Sequence, residues 1–430
     1  MKTMNPSKFT LFSMNGLNLL IGFKGGIYSI DKAFFDFLQG NCAPLDGMQE
    51  EMQKIEEREG NDKNIPAMPK RTLRALCLNI TSNCNLKCSY CFADSEQKSD
   101  MTIETAKKAL NFLLTNSDPD STLQIDFFGG EPLLNFDLIK QFIPYANSFK
   151  REIKFTLTTN ATLLNQDIVS FLNSEKVSLI ISLDGDKKTN DLHRKNHNGE
   201  SEWQSVMTNI QHLISSRNGS DYYVRGTFTP ESLNIKDTAL FYTDNQIYRF
   251  SLENAKGSSE NCWAISGNDT ERIKKEYEQL ADFILEKRKN GIPLDYFHFN
   301  VYLDTPLCTP RRLSGCGAGV EYISITPQGN LYPCHQLHID EFLMGCLDGD
   351  NTFYNEQRDK FSQSSILTKN GCMDCWAKFY CSGGCHASSW FENGDINKPS
   401  EMDCDLQKHR IKCAVWLESM SRLLNIIPSR

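Results

Sequence analysis

The stretch Cys84-Asn85-Leu86-Lys87-Cys88-Ser89-Tyr90-Cys91 sets three cysteines within eight residues, spaced by three residues and then by two. It starts just after residues 73–81, an apolar run of strand length, so the three thiols ride on a loop leaving the C-terminal end of that strand. In α/β barrels this is the end where active sites are assembled. A cubane of four irons normally takes four cysteinyl thiolates, so three local thiols with no evident fourth leave one iron open to an exogenous ligand. The competing reading is a zinc loop, which would draw a second pair of ligands from further along the chain.

Outward from this loop, apolar patterning alternates between strand and helix. Strands are expected at residues 73–81, 123–128, 154–159, 177–184, 222–229 and 247–252, with helices at 103–114, 136–146, 166–172 and 203–214. Such alternation implies an α/β fold: a parallel sheet with right-handed crossovers, closed or partly closed as a barrel. A long helix over 270–290 places Ile273, Tyr277, Leu280 and Ile284 on one face and stops at Gly291. Before the barrel, residues 9–14 and 17–23 flank an Asn15-Gly16 turn, and Gly25-Gly26 reverses the chain again before 27–30. Asp31 is the expected N-cap of a helix over 32–38, the charged stretch 49–59 a solvated helix, and 61–70 a linker with two prolines. Beyond the barrel, a hairpin is expected from 321–326 and 330–332 around Pro327-Gln328-Gly329, and a last helix over 406–424. Three units follow: 1–70, 71–300 and 301–430.

Composition narrows the function classes. Lys and Arg number 46 against 54 Asp and Glu, and the net charge of −8 argues against a large phosphate-binding face and so against nucleic acid as partner. No apolar run approaches the roughly 18 residues that span a bilayer, and no targeting segment is evident, so a cytoplasmic chain without membrane partners is expected. In a reducing cytosol, the 16 cysteines read as metal ligands or buried thiols. The last third concentrates them: Cys316, then Cys334 closing Gly329-Asn330-Leu331-Tyr332-Pro333-Cys334, then Cys372-x2-Cys375-x5-Cys381-x3-Cys385, then Cys404. Taken alone, 372–385 also suits a zinc knuckle with His335 or His386 as a further ligand.

The spacing of Cys84, Cys88 and Cys91, with the aromatic Tyr90 before the third cysteine, resembles the signature of the radical SAM superfamily. There the open iron is chelated by the amino and carboxylate groups of S-adenosylmethionine. Gly129-Gly130-Glu131-Pro132, directly after the second strand, resembles the family's GGE segment, which holds the methionine amino group; read alone it is equally a plain turn. By the same resemblance Asn160 and Ser182 face the ribose or methionyl part of the cofactor, and Arg225 pairs with its carboxylate. Residue by residue, Asp184-Gly185 also reads as a turn, Arg225 as an exposed strand residue, and Asp191 with Arg194 as a surface ion pair.

The C-terminal cysteines resemble the SPASM extension of these enzymes, which carries two auxiliary iron–sulfur clusters. The family pattern assigns Cys308, Cys316, Cys334 and Cys385 to one and Cys372, Cys375, Cys381 and Cys404 to the other. With the SAM-binding cluster this makes three [4Fe-4S] clusters. The gap from Cys308 to Cys316 is long for the pattern, so the first auxiliary cluster could instead keep an open iron for a substrate thiolate. Cys42, Cys77, Cys262, Cys346 and Cys413 are left as structural thiols. The fold implied is a partial (β/α)6 TIM-like barrel between a small winged-helix-like N-terminal domain and a cysteine-rich SPASM domain.

The resemblance spans about 73–424. It implies one-electron reduction of the first cluster, cleavage of the cofactor to methionine and a 5′-deoxyadenosyl radical, and hydrogen abstraction from an unactivated C–H bond; the radical chemistry is the cofactor's own. Electrons would come from a donor such as flavodoxin or ferredoxin. The N-terminal unit resembles the precursor-recognition domain of ribosomal-peptide maturases, which adds the leader of a precursor peptide to a sheet edge; a structural cap on the barrel is the alternative. The overall layout is similar to that of maturases forming thioether (sactipeptide or ranthipeptide) cross-links in a cysteine-rich core. Sulfatase-maturing enzymes share both cysteine motifs but carry an Asp base where this chain has His335, which could still move a proton. A carbon–carbon cross-linking maturase remains open, as does a zinc-bound, non-catalytic peptide-binding module.

Overall fold

The computed structural model describes residues 9–59, 68, 70–92, 98–257, 260–301, 313–349 and 352–426. Strand β1 (Phe9–Met14), β2 (Leu17–Gly22) and β3 (Ile27–Ile30) form an antiparallel sheet in the order β1-β2-β3, followed by α1 (Lys32–Leu38) and α2 (Met48–Glu59). Asp31 caps α1 as expected, accepting from Phe34 N at 2.7 Å. The period-2 alternation of β2 splits its apolar residues between two cores. Leu20 packs with Phe34, Met52 and Ile55 inside the unit, whereas Leu17, Leu19 and Ile21 join the main core of the molecule. At the end of α2 the buried Glu59 accepts from Lys24 N (2.8 Å) and the Tyr28 hydroxyl (2.9 Å). It fills the space that Gly22 and Gly26 leave by lacking Cβ atoms. The expected linker over 61–70 lies almost wholly outside the described residues.

The second sheet has the order β10-β9-β8-β7-β6-β5-β4-β11-β12-β13. Its six central parallel strands are β4 (Ala75–Thr81), β5 (Leu123–Gly129), β6 (Ile153–Thr159), β7 (Ser178–Ser182), β8 (Tyr222–Phe228) and β9 (Arg249–Asn254). Between them run α3 (Ile103–Asn116), α4 (Phe136–Asn147), α5 (Gln166–Ser174), the single turn α6 (Lys187–Asn190), α7 (Trp203–Ser216) and α8 (Ile235–Asp244). The sheet is open, so of the two expected closures only the partial barrel is found. Helix α8, absent from the sequence reading, buries Ile235, Ala239 and Tyr242 among Lys236, Asp237, Thr243 and Asp244, which blur its apolar stripe.

One face of each central strand packs on the helices through residues such as Ile125, Phe127, Leu157, Ile181, Val224 and Leu252. The alternate, concave face is polar and partly open: Asp126, Thr156, Thr158, Ser182, Arg225, Thr227 and Glu253 lie on it.

Helix α9 (Thr270–Lys289) and β10 (Asp295–Tyr296) complete the barrel side. The expected hairpin, β11 (Tyr322–Ile325) and β12 (Asn330–Tyr332), does not stand apart. β11 pairs in parallel with β4, from Tyr322↔Ala75 to Ile325↔Leu78, and Asn79 Nδ2 donates to Ser324 Oγ at 2.8 Å. β13 (Gly345–Cys346) extends the hairpin, and the long final helix, Glu401–Leu423, packs on α9. The cysteine-rich unit is thus sewn onto the first barrel strand, beside the loop that carries Cys84.

Candidate active site

The 84–91 loop is held from two sides. From one, Lys87 N donates to Lys195 O (2.7 Å) and Ser89 N to His193 O (3.2 Å), and His197 Nε2 lies 2.9 Å from Cys84 O. From the other, Gly130 N and Glu131 N donate to Thr81 O and Asn83 O, both at 2.8 Å. Gly129 has φ +129°, and a Cβ there would lie 2.0 Å from Thr81 O; one on Gly130 would lie 2.1 Å from Asn83 O. The glycine pair therefore admits the backbone at the base of the thiol loop itself.

Glu131 is fully buried, and its carboxylate accepts from Leu133 N (3.1 Å), Thr159 Oγ1 (2.8 Å) and Asn160 N (2.7 Å). Burial pushes it up to about 7 against those three hydrogen bonds. A carboxylate offers roughly four acceptor positions, so one is left for a further donor such as an ammonium. Asn160 in turn reaches the loop, donating through Nδ2 to Asn85 Oδ1 at 2.9 Å and lying 3.9 Å from Cys84 Sγ. Glu131, Asn160 and the first thiol thus form one connected group.

Tyr90 is anchored in a network that sequence reading left unassembled. Its hydroxyl donates to Asp184 Oδ2, and Asp184 Oδ1 takes Arg194 Nε at 3.0 Å and Thr227 N at 2.8 Å. The Arg194 guanidinium stacks over the Tyr90 ring. His193 bridges Ser89 Oγ (2.6 Å) and Thr229 Oγ1 (3.1 Å). The expected surface pair of Asp191 with Arg194 is therefore corrected: Arg194 turns inward to Asp184, and Asp191 pairs with Lys187. Of the two acids, the buried Asp184 is the more costly to leave unpaired.

Across the concave face, Ser182 and Arg225 are register neighbours on β7 and β8. Arg225 is exposed and its guanidinium makes no hydrogen bond or ion pair with the described residues, while its charge acts on Glu253, His298 and His335. Burial alone would raise Glu253, but His298 (2.7 Å), Arg410 (3.5 Å) and Arg225 outweigh it and hold the carboxyl well below its usual range. Neither Glu253 nor His298 carries a motif; they come from distant segments, and only the fold joins them. His335 rests against Phe128 (ring centroids 4.8 Å) and Phe92 (5.9 Å), and its Nδ1 lies 3.0 Å from the Tyr322 hydroxyl. Burial, with the Arg225 and His338 charges, pushes it down to about 3, so it stands neutral. Phe92 follows Cys91 and His335 follows Cys334, so this ring contact spans from the first thiol loop to the C-terminal cysteines.

Every described cysteine is a free thiol. Cys84, Cys88 and Cys91 lie near enough for each one's charge to act on another; burial raises Cys84, and pushes Cys88 up to about 12. Cys316, Cys334 and Cys385 form a second mutually coupled set. Cys372, Cys375, Cys381 and Cys404 form a third, with burial pushing Cys381 up to about 12. Cys308 lies outside the described residues. Among those described, no three His, Cys, Asp or Glu side chains are gathered as a single metal ion needs. A cubane spreads its thiolates more widely than one ion does, and part-buried thiols that desolvation raises, such as Cys84, Cys88 and Cys381, suit a centre that itself supplies the compensating positive charge. The donor sets therefore fit iron–sulfur clusters. Of the cysteines expected to be structural, Cys77 and Cys413 are buried, but Cys42 and Cys262 are exposed. A cavity of about 560 Å³ near Tyr248 and Arg249 opens at the opposite, N-terminal end of the strands, away from all of these groups.

Residues 78–231 match the radical SAM superfamily. Over 130 residues, 30% of its length, the chain is 38% identical to an uncharacterized protein of Methanocaldococcus jannaschii, and the match spans 44% of that protein. It is 24% identical to the radical SAM cyclopropyl synthase TigE of Paramaledivibacter caminithermalis, over 79% of this chain and 73% of that one. Its fold is similar to that of anSMEcpe with bound AdoMet (TM-score 0.68, 21% identity, 84% of this chain and 96% of that one). It is also similar to Streptococcus suis SuiB bound to precursor peptide SuiA (TM-score 0.56, 17% identity, 94% of this chain and all of that one). No helix of the described residues is long and apolar enough to cross a membrane.

Proposed function

We propose that this chain, which carries a radical SAM domain, is a maturase that modifies a ribosomally made precursor peptide by forming thioether cross-links from cysteine to carbon. The observation that supports this reading is the ring contact of Phe92, next to Cys91, with His335, next to Cys334, which joins the first thiol loop to the C-terminal cysteines. A peptide entering there would meet both sulfur centres at once.

In this reading Cys84, Cys88 and Cys91 hold the SAM-binding [4Fe-4S] cluster. Cys308, Cys316, Cys334 and Cys385 hold one auxiliary cluster, and Cys372, Cys375, Cys381 and Cys404 the other. S-adenosylmethionine bound at the first would supply a 5′-deoxyadenosyl radical for hydrogen abstraction. The residues of the chain bind and orient. Arg225 has a guanidinium free among the described residues for the cofactor's carboxylate, with Ser182 beside it. Glu131 keeps one acceptor position for the amino group, and the Gly129-Gly130 turn fixes Glu131 against the thiol loop. Tyr90, locked to Asp184, holds the third cysteine's approach. The N-terminal sheet would take the leader peptide as an added strand at an edge, and its docking on the main core sets the distance from leader to reaction site. SuiB, of similar fold, has been seen with its precursor peptide SuiA, which supports a peptide substrate. A flavodoxin or ferredoxin is the electron donor proposed.

The test is anaerobic incubation of the reconstituted chain with S-adenosylmethionine, reductant and a cysteine-rich peptide encoded beside it, read by mass spectrometry. The expected product has lost a hydrogen pair per cross-link, with the cysteine thiols no longer alkylated. A product with its thiols still free and a new carbon–carbon or formylglycine signature would overturn the thioether assignment.

A further inference from the structure

The barrel network and the thiol loop are absorbed by the reading above; a buried cation in the cysteine-rich unit is not. Lys369 is 4% exposed, and its ammonium donates to Gly383 O at 2.9 Å, in the turn between Cys381 and Cys385. Its own carbonyl accepts from Cys372 N at 3.2 Å. Among the described residues it makes no ion pair with a carboxylate; the groups whose charge acts on it are Cys372, Cys385, Cys381 and Cys316. Two of these, Cys316 and Cys385, belong to one proposed auxiliary set, and Cys372 and Cys381 to the other. A buried ammonium is costly without an anion beside it, and neutral thiols do not supply one. Thiolates bound to iron, on clusters of net negative charge, do.

We propose that Lys369 is a positioning residue shared by the two auxiliary clusters, holding one positive charge between them and raising the reduction potential of both. The inference rests on the assignment of two auxiliary clusters made above. Its physical basis is that reduction adds negative charge, which a nearby cation in a poorly solvated interior favours. The ammonium has three donors and Gly383 uses one, which leaves two for cluster sulfur on either side.

The measurement is anaerobic redox titration of the reconstituted full chain, followed by electron paramagnetic resonance, with iron and labile sulfide assayed on the same samples. Lys369→Met removes the charge and keeps the length. Both auxiliary midpoints are expected to move to more negative potential, the signal from the Cys84–Cys88–Cys91 cluster to stay in place, and Lys369→Arg to track the wild type. Unmoved auxiliary midpoints at full iron content would overturn the proposal. So would iron loss in both variants, which would assign Lys369 a purely structural part. A wild-type chain with the iron and sulfide of a single cluster would overturn the auxiliary assignment itself, a different failure read in the same assay.

Discussion

Tyr90, Asp184 and Arg194 tie the thiol loop to β7 through a carboxylate that is 3% exposed. Removing one member of a buried pair leaves the other charge uncompensated, at a cost of roughly 3–5 kcal/mol. Asp184→Asn is expected to lose stability on that scale in chemical denaturation of the metal-free chain. Asp191→Asn, which weakens a contact with the exposed Lys187 and leaves an amide oxygen able to accept from Ser201 Oγ (2.8 Å), should stay within about 1 kcal/mol of wild type. Similar losses in the two variants would remove the distinction drawn between these acids. Two further carboxylates give opposite dependences on pH. Glu131 is raised from 4.5 to about 7, so the folded chain binds a proton there that the unfolded chain releases. Its contribution to stability is therefore lost as pH rises from about 4.5 to 7 and stays lost above. Glu253 is depressed, so its contribution is present above the unfolded value and is lost as pH falls below it. Glu131→Gln should abolish the decline between pH 5 and 7, and a slope unchanged in that variant would place the titration elsewhere.

At the scale of elements, the glycines after β5 divide by what lies opposite them. Gly130→Ala must push on the backbone of Asn83, 2.1 Å from the added Cβ, whereas Gly199 has a positive φ of +79° but faces open space. Gly199→Ala is expected to cost about 1 kcal/mol, the penalty of the left-handed backbone alone. Gly130→Ala should cost more and also lower iron uptake at the 84–91 loop, as read by denaturation midpoint and iron assay; equal midpoints with full iron would contradict the close approach described. The six parallel strands and most of their helices were legible because a strand buried by helices and an amphipathic helix each carry a local period. The three thiols and Tyr90 stand out in the sequence through their spacing and its resemblance to a known signature. The pairing of β11 with β4, the partner chosen by Arg194 and the meeting of Glu253 with His298 and Arg410 were not. Each joins segments far apart in the chain, and no local pattern encodes which partner wins. Helix α8 was hidden by its own polar residues.

The whole molecule places its sulfur in an order that the sheet explains. β4 delivers the first thiol loop at its C-terminal end, and the hairpin of β11 and β12, joined to the same strand through β11, leads into Cys334 and His335, whose ring meets Phe92 of that loop. The N-terminal unit is fixed to the cysteine-rich unit through the Tyr380 hydroxyl on Gly25 O, and to α9 through Asn15 on Asp282 at 2.6 Å. Cys381→Ala is expected to spare part of the cofactor cleavage while stopping product, because it leaves the barrel site intact; Cys88→Ala should abolish cleavage outright. Analysis of 5′-deoxyadenosine and peptide mass in one reaction separates the two outcomes, and full turnover by Cys88→Ala would reject the role given to that thiol.

The central claim is an iron left open at the 84–91 loop for a sulfonium cofactor to bind. Its most direct measurement is electron paramagnetic resonance of the anaerobically reduced chain before and after addition of S-adenosylmethionine, in the wild type and in the combined Cys84→Ala, Cys88→Ala, Cys91→Ala variant. The prediction is a cluster signal that shifts on addition in the wild type, and a variant that keeps its auxiliary signals but shows no response. A wild-type spectrum indifferent to the cofactor, or a variant that responds as the wild type does, would contradict the account.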